Sequence, residues 1–459
     1  MIKRYDVIVI GSGGGTKLVS PLAKMGMKVA IIEKGPLGGT CLNRGCIPSK
    51  MLLHTAQLAS LIRDAHRFEI SLKGSFDIDF KHLVERVAKT IDEESESIVP
   101  FYREEPNIDY YPHEGHFLDP KTIEVGGERL TADKIFLAVG ARAAIPKIPG
   151  LDKVPYMTYE EALRNTKLPK KLIVIGGGFI ATELGYFYSA MGVETEFLVR
   201  SMLLRREDDD VRAAFQEAFA KQVILRLKCD FQEVSYKKER FTITYKDESG
   251  NLKKAEGDAL IVATGIKPWT DTLHLENTNI ECKEKGFIKV DDHLRTTQKG
   301  VWALGDCVGN YLFRHSVNFE GEYLFRTLFK DPSDEPIHYK AVPHAVFSYP
   351  EIAGVGKTER ELKEKKIPYF AGKNEYKDSA RGMALLPEVG FVKLLFEKSS
   401  QKLLGAHIIG EEASNMIHQL ILAIEMDATL DDLLKMIYVH PALPEIVRNA
   451  ARNAKKSGG

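Results

Sequence analysis

Two cysteines five positions apart, Cys41 and Cys46, lie in the segment Gly38-Gly39-Thr40-Cys41-Leu42-Asn43-Arg44-Gly45-Cys46-Ile47-Pro48-Ser49-Lys50. A thiol pair followed by a cation suits dithiol–disulfide exchange, although half of a zinc site or two buried thiols would also place cysteines together. On a regular helix their Cα atoms would stand roughly 8.7 Å apart, given a 1.5 Å rise and 100° per residue, beyond the ~7 Å reach of a disulfide. A bond between them therefore requires a broken helix. Gly45 supplies the freedom for that break, and Pro48 suits the first turn of a helix starting near Cys46, which leaves Cys41 in the preceding loop. The Cys46 sulfur then sits at a helix N-terminus, where the dipole favours a thiolate. The zinc reading lacks a second cysteine pair or a histidine at ligand spacing, and no metal is implied. Mere burial fits poorly with Gly-rich turns nearby and Lys50 directly behind. Cys229, Cys282 and Cys307 have no such company and read as structural.

Thiol exchange needs a proton carrier. Among 13 histidines, His440 stands out because Glu445 follows it in the short turn His440-Pro441-Ala442-Leu443-Pro444-Glu445, so that a carboxylate can orient the imidazole.

The elements that must position these groups are legible around two Gly-rich turns. Tyr5–Ile10 reads as a buried strand, Gly11-Ser12-Gly13-Gly14-Gly15-Thr16 opens a helix, and Lys28–Glu33 reads as a second strand ending in an acid. This βαβ unit is the setting in which a turn cradles a dinucleotide pyrophosphate on a helix N-terminus. Its third small position is Thr16, or Gly15 with the turn one residue shorter. The pattern repeats at Lys170–Ile175, Gly176-Gly177-Gly178-Phe179-Ile180-Ala181, a helix through Met191 and a strand at Thr195–Val199 ending at Arg200. A lone Gly pattern is weak, but two in strand–turn–helix–strand context imply two nucleotide cofactors. Phe136–Gly140 and Ile261–Gly265 are strand ends before Pro-marked crossings. From Val342 onward, strand-like runs at 390–396 and 404–409 alternate with helical ones at 359–365 and 414–426, with no further nucleotide turn.

With 459 residues, the chain suggests about three domains, and 44% apolar residues can fill their cores. Lys+Arg (64) balance Asp+Glu (64), which removes the basic excess expected of a nucleic-acid or anionic-membrane binder. No apolar run approaches the ~20 residues of a membrane span. The run after Lys3 and Arg4 is a strand and not a signal segment, and five scattered cysteines do not form a disulfide framework. A cytoplasmic protein is expected.

The segment GGTCLNRGCIPSK resembles the redox-active segment of the flavin-dependent pyridine nucleotide–disulfide oxidoreductases, most closely the dihydrolipoamide dehydrogenase and mycothione reductase branches, and the likeness runs through the whole chain. It implies an α/β fold with two Rossmann-like dinucleotide-binding domains and a C-terminal α+β dimerisation domain. The expected boundaries are 1–146 for the FAD-binding part with the disulfide, 147–266 for the NAD(P) domain, 267–341 for a central FAD-binding part and 342–459 for dimerisation. It also implies tightly bound FAD, with Glu33 on the adenosine ribose, Asp306 of Ala303-Leu304-Gly305-Asp306 on the ribitol, and Lys50 beside the flavin paired with Glu183. Further cofactor contacts are implied at Gly11, Gly13, Gly15, Thr40, Gly115, Gly140, Gly265 and Gly305, and on the nicotinamide side at Gly176, Gly178, Phe179 and Ile180. Cys41 and Cys46 would form the redox disulfide, and His440 with Glu445 would act on the disulfide of the other subunit of a homodimer.

In NAD-using relatives the second βαβ strand ends in an acid. Here it ends in Arg200, followed by Arg205-Arg206, which matches a 2′-phosphate site and favours NADP(H). The opposing account lets Glu207 to Asp210 neutralise these arginines and leaves NAD(H). Toward the disulfide, CIPSK and HPALPE resemble the lipoamide and mycothione branches, and Tyr311-Leu312-Phe313-Arg314-His315 resembles mycothione reductase. The tail has no cysteine pair of the thioredoxin-reductase or mercuric-reductase kind. The first reading is a dihydrolipoyl-dehydrogenase-type enzyme acting on a small thiol or a lipoyl domain. The alternative is an NADPH-dependent reductase of a low-molecular-weight disulfide such as mycothione or glutathione disulfide.

Overall fold

A computed structural model describes residues 1–458. The N-terminal strand β1 (Ile2–Ile10) is fully buried at Val7, Ile8 and Val9, as a parallel strand covered on both faces must be. The helix α1 (Thr16–Lys24) buries one face through Leu18, Val19, Leu22 and Ala23 and returns the chain to β2 (Val29–Ile32). After α2 (Gly39–Arg44), α3 (Cys46–Asp64) and the long α4 (Phe80–Glu104) come β3 (Ile108–Tyr111), β4 (Gly115–Asp119), β5 (Thr122–Val125) and β6 (Glu128–Leu137). These strands lie in the order β3-β2-β1-β6-β5-β4, parallel through β6 and antiparallel beyond it.

The chain leaves this sheet through β7 (Ala141–Ala143) and, after the single turn α5 (Tyr159–Ala162), builds the second parallel unit from β8 (Lys171–Ile175), α6 (Phe179–Ala190), β9 (Glu194–Leu198), α7 (Asp209–Phe219) and β10 (Ile224–Arg226). An antiparallel meander follows, β11 (Asp230–Lys237), β12 (Arg240–Lys246) and β13 (Leu252–Gly257), before β14 (Ala259–Val262) completes the sheet β10-β9-β8-β14. The return crossing β15 (Ile266–Pro268) pairs antiparallel with β7, so the two Pro-marked strand ends meet as one ribbon. β16 (Val301–Ala303) then rejoins the first sheet beside β6, and α8 (Arg314–Phe325) follows.

The remaining chain forms the antiparallel sheet β17 (Pro343–Val346), β18 (Ile352–Gly356), β21 (Leu403–Ile409), β20 (Phe391–Glu397) and β19 (Tyr369–Glu375), in that spatial order, with α9 (Glu359–Glu364) on the β18–β19 connection. The C-terminal helix Glu445–Gly458 buries Ile446, Val447, Ala450, Ala451 and Ala454 against it. Among the described residues no helix is long and apolar enough to cross a membrane.

Candidate functional site

Gly45, at φ −142° and ψ −116°, separates α2 from α3, and a Cβ there would lie 2.8 Å from the Thr40 carbonyl. The helix break between the cysteines is therefore present, with one correction: Cys41 is in the short helix α2 and not in a loop. Asn43, buried and unnoticed in the sequence, donates to the Leu37 and Gly39 carbonyls and pins this helix to the preceding turn. Arg44 pairs with Glu160 of α5 at 3.0 Å.

The Cys41 and Cys46 thiols are free, Cys41 half-buried and Cys46 exposed. The neighbouring Cys46 thiol lowers the Cys41 thiol to about 7 against the opposing effect of burial, with Arg314, the Cys46 backbone N–H and Lys50 also contributing. The neighbouring Cys41 and burial push the Cys46 thiol up. Cys46 opens α3, the helix-end position expected from the sequence.

Lys50 Nζ lies 2.7 Å from Glu183 of α6. The same carboxylate accepts the Phe347 N–H at 3.0 Å, and the Phe347 ring lies 4.6 Å below the ammonium. The sequence named Lys50 and Glu183; Phe347 went unseen, because nothing local marks it.

The first Gly turn is shaped for a pyrophosphate. At Gly11 (φ +103°) a Cβ would meet the Ala138 carbonyl at 2.2 Å, and at Gly15 it would meet the Gly11 carbonyl at 2.3 Å, so Gly15 and not Thr16 supplies the close helix–strand approach. Gly13 is open, with no atom nearer than 3.9 Å, and no side chain caps α1. Thr40 sits behind this opening as the second residue of α2. Glu33 accepts from the Ser12 N–H, the Ser12 hydroxyl and the Gly35 N–H. Burial pushes Asp306 up to about 6, and among the described residues no donor reaches its carboxylate, the condition in which a polyol would be held. Behind it Glu320, 1% exposed, accepts from the Gly305 N–H and the Tyr339 hydroxyl, both at 2.6 Å. The FAD expected from the sequence fits these groups. Gly115 reads differently: a Cβ there would lie 3.0 Å from Ile32, so packing accounts for it. Around Gly140 there is open space.

The second turn repeats the first. A Cβ at Gly176 (φ +147°) would meet the Ala263 carbonyl at 2.3 Å, while Gly178 and Gly265 have nothing within 4 Å. Phe179 opens α6, 38% exposed, beside the half-buried Ile180. Arg200, Arg205 and Arg206 are exposed beyond β9, and among the described residues none has an acidic partner. The four acids thought able to neutralise them are engaged elsewhere. Glu207 bonds to His344 at 2.8 Å, Asp208 and Asp210 to Lys393 at 2.8 and 2.7 Å, and Asp209 to Arg360 at 2.6 Å.

In the C-terminal unit, His440 Nδ1 lies 3.0 Å from Glu445. Burial would raise the Glu445 carboxyl, but the Ala442 N–H, His440 and Arg448 together hold it below its usual value. The imidazole is 70% exposed, with Ile437 and Val439 also bare at 100% and 77%.

A family model described as pyridine nucleotide-disulphide oxidoreductase matches residues 5–321, and one for the dimerisation domain of the same family matches residues 342–451. Mycothione reductase of Mycobacterium tuberculosis (strain H37Rv in its ATCC 25618 form) is 34% identical over 98% of this chain and 99% of its own length. Dihydrolipoyl dehydrogenase of Trypanosoma brucei brucei is 32% identical over 97% of this chain and 95% of its own. The solved structure of the HOCl-induced flavoprotein disulfide reductase RclA from Escherichia coli is similar with a TM-score of 0.87 at 26% identity, covering 98% of this chain and 99% of that one. Since these matches take in both nucleotide-binding units and the C-terminal sheet, the chain belongs to the pyridine nucleotide-disulphide oxidoreductases, enzymes for which FAD and a pyridine nucleotide are the implied cofactors.

Proposed function

We propose that this enzyme is an NADPH-dependent reductase of a low-molecular-weight disulfide. The observation that carries the reading is the pairing of Glu207, Asp208, Asp209 and Asp210 with His344, Lys393 and Arg360, which leaves Arg200 and Arg206 available to a 2′-phosphate. Gly176, Gly178, Phe179 and Ile180 would bind the rest of the coenzyme at the α6 N-terminus. Gly11, Gly13, Glu33, Thr40, Gly305 and Asp306 would hold the FAD, which when bound relays two electrons between nicotinamide and disulfide.

In the thiol half of the reaction, the Cys41 thiolate attacks one sulfur of the substrate disulfide. Its S–S bond breaks, one thiol leaves, and a mixed disulfide with Cys41 remains. Cys46 then displaces the second thiol, which closes the Cys41–Cys46 bond. His440 of the partner subunit gives its proton to the departing thiolate, and Glu445 holds the imidazole in position. The exposure of His440 beside Ile437 and Val439 supports a site completed across a homodimer.

The test is kcat/KM for NADPH and NADH with glutathione disulfide, mycothione and lipoamide. NADPH is expected to win, and Arg200→Ala should weaken it by roughly ten- to a hundred-fold, the worth of one charge-assisted hydrogen bond, while NADH is nearly unaffected. A second reading, a dihydrolipoyl-dehydrogenase-type enzyme, draws on CIPSK and HPALPE. It takes over if the wild type prefers NADH about tenfold or more and turns over lipoamide.

A further inference from the structure

The run from Glu207 to Asp210 docks on a face of the C-terminal sheet that is built in register. His344 of β17 is paired with Gly354 of β18, Gly354 with His407 of β21, and His407 with Lys393 of β20, and residues paired across strands share one face. Gly354 is the gap in this row. A Cβ there would lie 2.6 Å from His344 Cε1 and 3.2 Å from His407 Nδ1, so the two rings close over the glycine. The outer members of the row take the acids, His344 binding Glu207 and Lys393 binding Asp208, both at 2.8 Å. The segment between β9 and α7 is thereby held from two sides. Leu203 and Leu204 are buried, and the Leu204 N–H donates to the Gly177 carbonyl at 2.7 Å, which fastens the segment to the second Gly turn. From the other side Arg360 of α9 bridges two points with one guanidinium, Nη1 to Asp209 at 2.6 Å and Nη2 donating to the Arg205 carbonyl at 3.0 Å. That carbonyl belongs to the peptide joining Arg205 to Arg206, whose own side chains are exposed.

We propose that Arg360 is a positioning residue for the coenzyme: together with His344 it fixes the backbone from which Arg206 meets a 2′-phosphate. The C-terminal unit, and not the nucleotide unit alone, then sets the affinity for a phosphorylated pyridine nucleotide. The inference rests on the NADPH reading above, and its test separates the two.

The probes are 2′,5′-ADP, which carries the phosphate without the nicotinamide, and 5′-AMP, which lacks it. Each is titrated calorimetrically into the FAD-loaded enzyme, beside measurements of KM and kcat for NADPH. The wild type should bind 2′,5′-ADP more tightly; a wild type that binds both alike refutes the NADPH reading and removes this inference with it. Arg360→Met should weaken 2′,5′-ADP roughly tenfold, the worth of one hydrogen bond from a charged group, and raise KM for NADPH by a similar factor. Binding of 5′-AMP and kcat should be unchanged, whereas general damage to the unit would weaken both nucleotides. His344→Leu should act in the same direction, because it releases the Glu207 carboxylate beside Arg206. Adding Glu207→Gln should restore 2′,5′-ADP binding, since the released charge is gone. With a wild type that discriminates, three results overturn the proposal: an Arg360→Met variant within about twofold of it, a loss shared equally by 5′-AMP, or a double variant no better than His344→Leu.

Discussion

Replacing Lys393 by Met should be the most damaging single change outside the thiol site. Lys393 is 3% exposed on β20, with its ammonium 2.8 Å from Asp208, 2.7 Å from Asp210 and 2.6 Å from Glu359. Asp208 is fully buried and also caps α7. The variant leaves that carboxylate without its cation, a loss of about 3–5 kcal/mol, or a fall in Tm of roughly 6–20 °C at the ~2–4 °C per kcal/mol usual for units of this size. The pH dependence has a definite sign. Burial raises the Asp208 carboxyl, but His407 and Lys393 pull it below its usual value, so the wild-type contribution is present above about pH 4 and lost only as pH falls further. Without Lys393 burial prevails and Asp208 takes up a proton more readily, so the gap between variant and wild type should narrow toward about pH 5. Lys393→Met combined with Asp208→Asn should recover much of the loss, since a buried pair replaced as a whole costs little. Differential scanning calorimetry on the three proteins at two pH values measures all of this. A single variant within ~2 °C of wild type, or a double variant no better than the single, refutes the reasoning.

Two further outcomes follow from the thiol site and its base. Cys41→Ser should abolish disulfide turnover while leaving FAD bound, as seen by its visible absorbance; full turnover would remove Cys41 from the mechanism. His440→Ala should slow turnover by on the order of 10²–10⁴-fold with the dimer intact on a sizing column, and a rate within a few-fold of wild type would remove His440 as the proton carrier.

What could be read in advance was what is local. The two Gly turns, the Cys41–Cys46 segment and the His440–Glu445 turn each declare themselves within a few residues. The contacts that join domains do not: Glu183 meets Phe347 across 164 residues and Asp208 meets Lys393 across 185. Lys393 in Phe391-Val392-Lys393-Leu394-Leu395-Phe396 gives no hint of three carboxylates waiting, and so Glu207 to Asp210 looked free to neutralise the arginines. The meander β11–β13 left a signal that went unread, the alternation of buried Phe241, Ile243 and Tyr245 with Thr242 and Thr244.

The Lys50–Glu183–Phe347 junction ties the thiol site to the order in which the chain is made. Lys50 belongs to the first nucleotide-binding unit, Glu183 to the second and Phe347 to the segment just past β17. During synthesis the lysine emerges long before its carboxylate, and the carboxylate before the backbone amide that fixes its orientation. A chain stopped short of residue 347 can form both Gly turns and still lack the amide that orients the Glu183 carboxylate beside Lys50. The last contact of the Lys50–Glu183 pair is thus supplied by the part of the chain that is synthesised last, the C-terminal unit.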